Sequence, residues 1–238
     1  MSEQALSIDT TFNFYTDSGG KDPDSHSPTL KKYHKLLWSK ALPNGEIFTL
    51  TNTDSNSYLT YKSGQEEIAL SSDSISNSYR NKKSLSSILK DLTSEVEKFR
   101  NIGSTIGGYI LFPAKKIEGK MTINGARGFN RKIADRFDLT LECIRLHYLG
   151  KPNPLQEVLD QNSRFFHLFE NFTGYVDFFL LQDLVDANYE SINLFIPIKQ
   201  MFESSPLPAN KEEYLQYMKS STSFTAKRNE RIKAWSLS

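Results

Sequence analysis

Residues 124–148 read NGARGFNRKIADRFDLTLECIRLHY. Wound as a helix at about 100° per residue from Asn130 to Tyr148, the stretch sorts its side chains by face. Ile133, Phe137, Leu141, Ile144 and Tyr148 fall on one side, and Leu139, Cys143 and Leu146 widen that apolar arc. Arg131, Asp135, Asp138, Glu142 and Arg145 recur as an ionic stripe, the pattern of a solvated face. Arg136, Thr140, Cys143 and His147 line up inside the apolar arc. An arginine buried there needs an anionic partner, because an uncompensated interior charge is very costly. Two readings stay open: a structural salt bridge to another helix, or a pocket that holds an anionic ligand against Arg136 and His147.

The lead-in, Gly125-Ala126-Arg127-Gly128-Phe129-Asn130, reads as a glycine-flanked turn opening into that helix. Free N–H groups and the helix dipole at such an opening favour anions, with Arg127, Asn130, Arg131 and Lys132 as further donors. The spacing matches neither the dinucleotide fingerprint nor the phosphate loop. A plain turn with Asn130 as N-cap explains the same residues.

Working outward, composition bounds the problem. The chain has 238 residues, 24% charged and 38% hydrophobic, and a formal net charge of +1, so no global field recruits nucleic acid. A single cysteine excludes an internal disulfide and a multi-cysteine zinc site, and fits a reducing cytoplasm. The first residues, MSEQALSIDTT, lack the basic and apolar regions of a signal peptide, and no apolar run is long enough to span a bilayer. A soluble, cytoplasmic protein with no membrane partner is expected.

Toward the N-terminus, Ile8, Thr10, Phe12 and Phe14 alternate as in a half-buried strand. A loop rich in Asp, Ser, Gly and Pro follows, and Ser27-Pro28 starts a helix through Lys40 as N-cap and first residue. Asp22, Asp24 and His26, with His34 on that helix and Asp17 upstream, form the most metal-like cluster of the chain. Hard oxygen ligands with histidine suit a divalent cation and phosphoester hydrolysis, with Lys40 near enough in sequence to steady developing charge. The same residues equally suit a loop whose carboxylates cap backbone N–H groups. Short antiparallel strands are predicted at 46–50, 57–61 and 67–71, with Asp73 just past a strand end. A helix capped by Ser84 runs to about Asn101, and Thr105–Pro113 reads as a buried strand with a close-approach glycine pair, Gly107-Gly108. Lys120–Ile123 is predicted to pair with it.

Beyond the central helix, Pro152 and Pro154 break the chain and 155–162 forms a short helix. Residues 164–186 are nearly all apolar and predict one or two core helices, divided at Thr173-Gly174. Asp177 lies among large apolar side chains and is the expected partner of Arg136. Residues 193–198 read as a last strand, 211–220 as a helix, and 226–235 as a basic helix facing solvent, nucleic acid or an acidic partner.

Three motifs, DPDSHSPTLKKYHKLLWSK–LPNG, TINGARG…IADRFDLTLECIRLHY and FTGYVDFFLLQDLV, together resemble a family of bacterial proteins, a domain of unknown function, with a likeness running from Phe12 to about Arg231. The resemblance implies a bacterial, single-domain, cytosolic protein and carries over no activity, cofactor or catalytic residue.

The resulting expectation is one α+β domain over 1–238, with a mostly antiparallel sheet and helices over about 8–123 packed against a hydrophobic helical half over about 124–235. The leading functional reading is a pocket for an anionic, phosphate-bearing ligand (nucleotide or nucleic acid) formed by Arg127, Asn130, Arg131, Arg136 and His147, with Asp177 beside them. The alternatives are a metal-dependent phosphoester hydrolase or nuclease, with a divalent metal on Asp22, Asp24, His26 and His34, and a protein-interaction scaffold marked by an exposed apolar patch.

Overall fold

The computed structural model describes residues 8–52, 59–63, 66–114, 119 and 121–236. Four antiparallel strands in the order β1-β2-β3-β4 form the sheet: β1 (Leu50–Asn52), β2 (Leu59–Ser63), β3 (Glu66–Ser74) and β4 (Tyr109–Pro113). Sequential strands pair with their neighbours, in registers such as Tyr61 with Ile68 and Ser72 with Leu111. Helices before the sheet are α1 (Phe14–Asp17), α2 (Pro23–His26) and α3 (Pro28–Trp38). Two more, α4 (Ser86–Leu89) and α5 (Thr93–Gly103), lie between β3 and β4. The rear half holds α6 (Ile123–Phe129), α7 (Phe137–Tyr148), α8 (Gln156–Gln161), α9 (Ser163–His167), α10 (Phe172–Phe178) and α11 (Lys211–Trp235). The expected α+β class is the observed one.

One hydrophobic cluster joins the two halves. The Phe48 ring stacks on Tyr61 of the sheet at 4.5 Å and meets Phe178 of the helical half at 5.3 Å. Trp38 closes on Phe179 at 5.3 Å. Rings this large bury enough apolar surface to dominate the packing of the elements that carry them.

Several local readings give way to tertiary demands. The strand expected at Ile8–Phe14 does not form; Asn13 caps α1 instead, accepting from the Thr16 amide. The helix expected from Asn130 begins only at Phe137, while the expected Gly-Arg-Gly turn is itself helical, with Thr122 as its N-cap and Asn130 as its C-cap. Between them Ala134 and Asp135 sit at φ 44° and 61°, left-handed values that no helix passes through. Asp138, placed by periodicity on a solvated stripe, is completely buried. The helix expected from Ser84 breaks between α4 and α5. The rear apolar segment divides at 168–171, where Glu170 takes φ 62°, and Asn171 then caps α10 so that Gly174 falls inside it. No strand forms at 193–198; a single bridge, Val185 to Ile192, lies just before it. Ile123 starts a helix rather than ending a strand, and the two separate C-terminal helices are one. Part of the strand expected at 57–61 and Lys120 lie outside the described residues.

The glycine pair does mediate a close approach. A Cβ on Gly107 would stand 2.6 Å from the Thr225 carbonyl of α11, and one on Gly108 would collide with the Gly103 carbonyl. Asn229 confirms the docking chemically, accepting from the Gly107 amide at 2.8 Å and donating to Thr105 Oγ1 at 2.7 Å.

Candidate ligand site

A cleft of about 310 Å³ opens where α2, the end of β3, α5 and the link from α6 to α7 meet. Asp22, Asp24, Asp73 and Asp135 all line it, with Tyr15, Asn77, Arg100 and Tyr109. Each carboxylate arrives for a local reason. Asp22 caps α2, accepting from the Asp24 amide, and Pro23 presets the first helical turn. Asp24 then reaches the sheet: its Oδ1 accepts from the Ser72 amide at 2.8 Å, past the last described β2–β3 pair at Leu59–Leu70. Asp73 comes from the far end of β3, and Asp135 from the left-handed link.

Beneath them lies Arg127, fully buried. Its Nη1 donates to Asp73 Oδ2, its Nη2 faces Asp135 Oδ1 at 3.4 Å, and its Nε donates to Thr140 Oγ1 at 2.9 Å. The guanidinium also lies over the Phe112 and Phe137 rings, at 5.6 and 5.7 Å. Burial pulls its pKa down and Asp135 opposes that pull. Asn77 Nδ2 donates to the other Asp135 oxygen at 2.7 Å, which ties the 75–79 segment to the same network. The left-handed backbone at Asp135 is sustained by this set of bonds, the arrangement expected where strain is held at a site.

Asp24 is pushed toward neutrality. Burial raises its carboxyl to about 7, with the Ser72 amide opposing and the neighbouring Asp22 charge adding to the rise. Across the cleft, Arg100 lies 4.8 Å from the Tyr15 ring centre and holds that phenol below its usual range through a hydrogen bond.

Ser72 also borders the cleft, but no activated nucleophile is built there. Trp38 Nε1 donates to His34 Nδ1 at 2.9 Å, so the imidazole proton resides on Nε2, which donates to Ser72 Oγ at 2.9 Å. A histidine that donates to a serine cannot remove its proton. Burial, aided by the Arg228 charge, holds His34 down to about 3, which fixes it in the neutral form.

A sequence model for the family of unknown function DUF6994 matches residues 8–232. The chain belongs to that family. Searches among curated proteins and among solved structures return no match. Among the described residues of this DUF6994 chain no helix is long and apolar enough to cross a membrane.

The residues singled out in the sequence are distributed over this geometry unevenly. Of the metal-like set, Asp22 and Asp24 line the cleft, while both nitrogens of His34 are engaged in the core and the His26 ring turns back to the Asp22 carbonyl at 3.1 Å. Asp17 is occupied by the Ser27 hydroxyl at 2.6 Å. No group of three or more His, Cys, Asp or Glu among the described residues is arranged to hold a metal ion. Lys40 points into an aromatic cage, 4.7 Å from the Phe178 ring and 5.4 Å from Trp235.

The anion set does not assemble. Arg127 is beneath the cleft with its charge matched by two aspartates. Arg136 pairs with Asp138, not Asp177, and its remaining N–H groups donate to the Pro206 and Ile196 carbonyls at 2.9 and 3.0 Å. Burial lowers the Arg136 pKa and Asp138 more than offsets it. Asp177 is exposed and accepts from Gln182 and from the Tyr189 hydroxyl at 2.7 Å. His147 lies in the last turn of α7, about 16 Å along the axis from Arg136 at 1.5 Å per residue, and faces Asp160 Oδ1 at 3.1 Å. Asn130 donates to the Pro154 carbonyl. Arg131 is exposed.

Sequence reasoning misses Asp135, Asn77, Arg100, Tyr15 and Tyr109 as members of a site. Asp135 is hidden by its place on an apparent solvated stripe, and the others are ordinary residues until the fold brings them together. A separate groove of about 490 Å³ between α6 and α8 leaves Met121 and Phe129 exposed at 51% and 78%, the apolar surface that a scaffold would present.

Proposed function

We propose that this protein binds a small ligand rich in hydrogen-bond donors, an amine or a polyhydroxylated molecule, in the acid-lined cleft. The observation that carries the reading is the convergence of four carboxylates on one cleft whose buried cation is already matched. Asp73 and Asp135 share Arg127, which leaves Asp22 and Asp24 to receive donors from a ligand. Carboxylates are acceptors when ionised and can host several N–H or O–H groups each. An anionic ligand at Arg127 would have to displace both aspartates from a fully buried guanidinium, so the charge balance favours donors. Asp24 adds a proton-exchanging group at neutral pH, the property required of a general acid or base.

The test is calorimetric titration of the full chain with putrescine, glucosamine and ribose at pH 6 and pH 8, beside Asp24→Asn and Asp22→Asn. Saturable binding of at least one probe, weakened tenfold or more in both variants, is the expected result. Putrescine, charged at both pH values, should bind more tightly at pH 8, where Asp24 is mostly ionised. No heat from any probe, or binding that both variants leave intact, would sink the reading.

A further inference from the structure

The link between α6 and α7 has two sides. Asp135 turns into the acid-lined cleft, while Arg131 and Lys132 turn outward and meet Lys82 around a second pocket, of about 490 Å³, closed by the 202–207 segment. Ala134 and Phe202 give this pocket an apolar floor, and both have left-handed backbones, at φ 44° and 61°. Two side chains other than glycine held in that conformation at one pocket mark a place where the surrounding structure over-determines the backbone.

Both walls are anchored to the interior. Behind the near wall, Asp135 is held by Arg127 and Asn77. The far wall is held by Arg136, whose Nη1 donates to the Pro206 carbonyl at 2.9 Å. Asp138, paired with Arg136, accepts from the Phe195 amide at 2.8 Å, upstream on the same stretch of chain. The buried Arg136–Asp138 pair thus anchors the backbone of one wall of the pocket to the interior.

Its charge is predominantly positive. Lys82, Arg131 and Lys132 make no side-chain hydrogen bond or ion pair among the described residues, and Glu203 is the one acid among the described residues at the rim. Three such cations in one concavity raise the local potential and concentrate anions there. An apolar floor beneath a cationic rim suits a ligand with a multiply charged head and a less polar body. Phosphate-bearing small molecules have that form. An extended nucleic acid would need a basic stripe beyond the pocket, and the chain as a whole carries only +1.

We propose that this pocket is a second site, separate from the acid-lined cleft, that takes a small phosphate-bearing anion through Lys82, Arg131 and Lys132. The test is calorimetric titration of the full chain with inorganic pyrophosphate at low ionic strength, with sodium chloride at matched ionic strength as the blank. Two double variants accompany it: Arg131→Gln with Lys132→Gln at the pocket, and Lys90→Gln with Lys98→Gln, which removes the same charge from exposed positions elsewhere. Saturable binding is expected, weakened at least tenfold by the pocket variant and less than twofold by the control. Absence of saturable binding overturns the proposal. So does equal weakening by both variants, which would mean a diffuse charge effect, and so does binding of a short single-stranded oligonucleotide by a chain that ignores pyrophosphate.

Discussion

Arg127 and Arg228 are both fully buried, yet the surroundings of the two differ in kind. Arg127 is matched by carboxylates, and those carboxylates stay reachable from solvent, with side chains 22% and 29% exposed. Arg228 has no carboxylate partner among the described residues. It donates to three backbone carbonyls, Phe179 at 3.0 Å, Gly107 at 2.9 Å and Tyr109 at 2.7 Å, and lies over the Trp38 ring at 5.6 Å. Burial pulls it down to about 9, with little to resist the pull. A buried arginine is therefore no pointer to function by itself. What distinguishes the two is where their partners face: Arg127 shapes acids that open on a cleft, whereas Arg228 clamps α11 onto the β4 approach and the end of α10.

The largest effect should fall on the clamp. Arg228→Met would leave three interior carbonyls without their donor, each worth about 1–3 kcal/mol when unsatisfied. Relief of the guanidinium's own desolvation offsets only part of that loss, so a net cost on the order of 3 kcal/mol is expected in urea unfolding, with the unfolding slope unchanged. A cost below about 1 kcal/mol would mean that the carbonyls find other donors and would remove the contrast with Arg127.

Arg127→Met should cost less, on the order of 2 kcal/mol, because water from the cleft can reach the abandoned Asp73 and Asp135. Combined with Asp73→Asn in a double-mutant cycle, it should show a coupling of about 1–2 kcal/mol, while Arg127→Met and Arg228→Met should add within about 0.5 kcal/mol. Coupling absent from the first pair, or present in the second, would merge the two regions into one network and undo the distinction.

The same contrast explains how much is legible beforehand. Periodicity locates the core, since Phe137, Leu141 and Ile144 are all buried as their spacing requires. The α+β division, the Ser27 cap of α3 and the glycine pair also follow from local chemistry. Partner choice does not. Arg136 reads as buried, but its acid is Asp138, two residues away, because the left-handed link sets Arg136 at the N-cap and turns its side chain back along α7. Nothing in a one-dimensional pattern announces φ values of 44° and 61° at Ala134 and Asp135, neither of them glycine. The cleft suffers most, since its acids come from α2, β3 and the link, segments that lie far apart along the chain. Asp22 and Asp24 are visible as a cluster, yet the expected histidines face elsewhere, and the carboxylates that join them come from distant segments.

The finest distinction concerns the acids themselves, since Asp24 belongs to the cleft but not to the arginine network. Its carboxyl is raised to about 7 in the folded chain, mainly by burial. Between about pH 4, where an unfolded aspartate titrates, and pH 7, the folded chain therefore keeps a proton that the unfolded chain has released. By linkage this group lowers stability as the pH rises through that window, and the deficit is complete above it. In Asp24→Asn the side chain carries no charge, while its amide oxygen still accepts from the Ser72 amide. The substitution should thus stabilise the protein at pH 8 by on the order of 1 kcal/mol, after discounting for water in the cleft, and by next to nothing at pH 4. Urea midpoints measured at both pH values decide the matter. A variant that is destabilised at pH 8 would mean that Asp24 serves the fold as an ionised cap of the strand end, and the cleft would lose its proton-exchanging group.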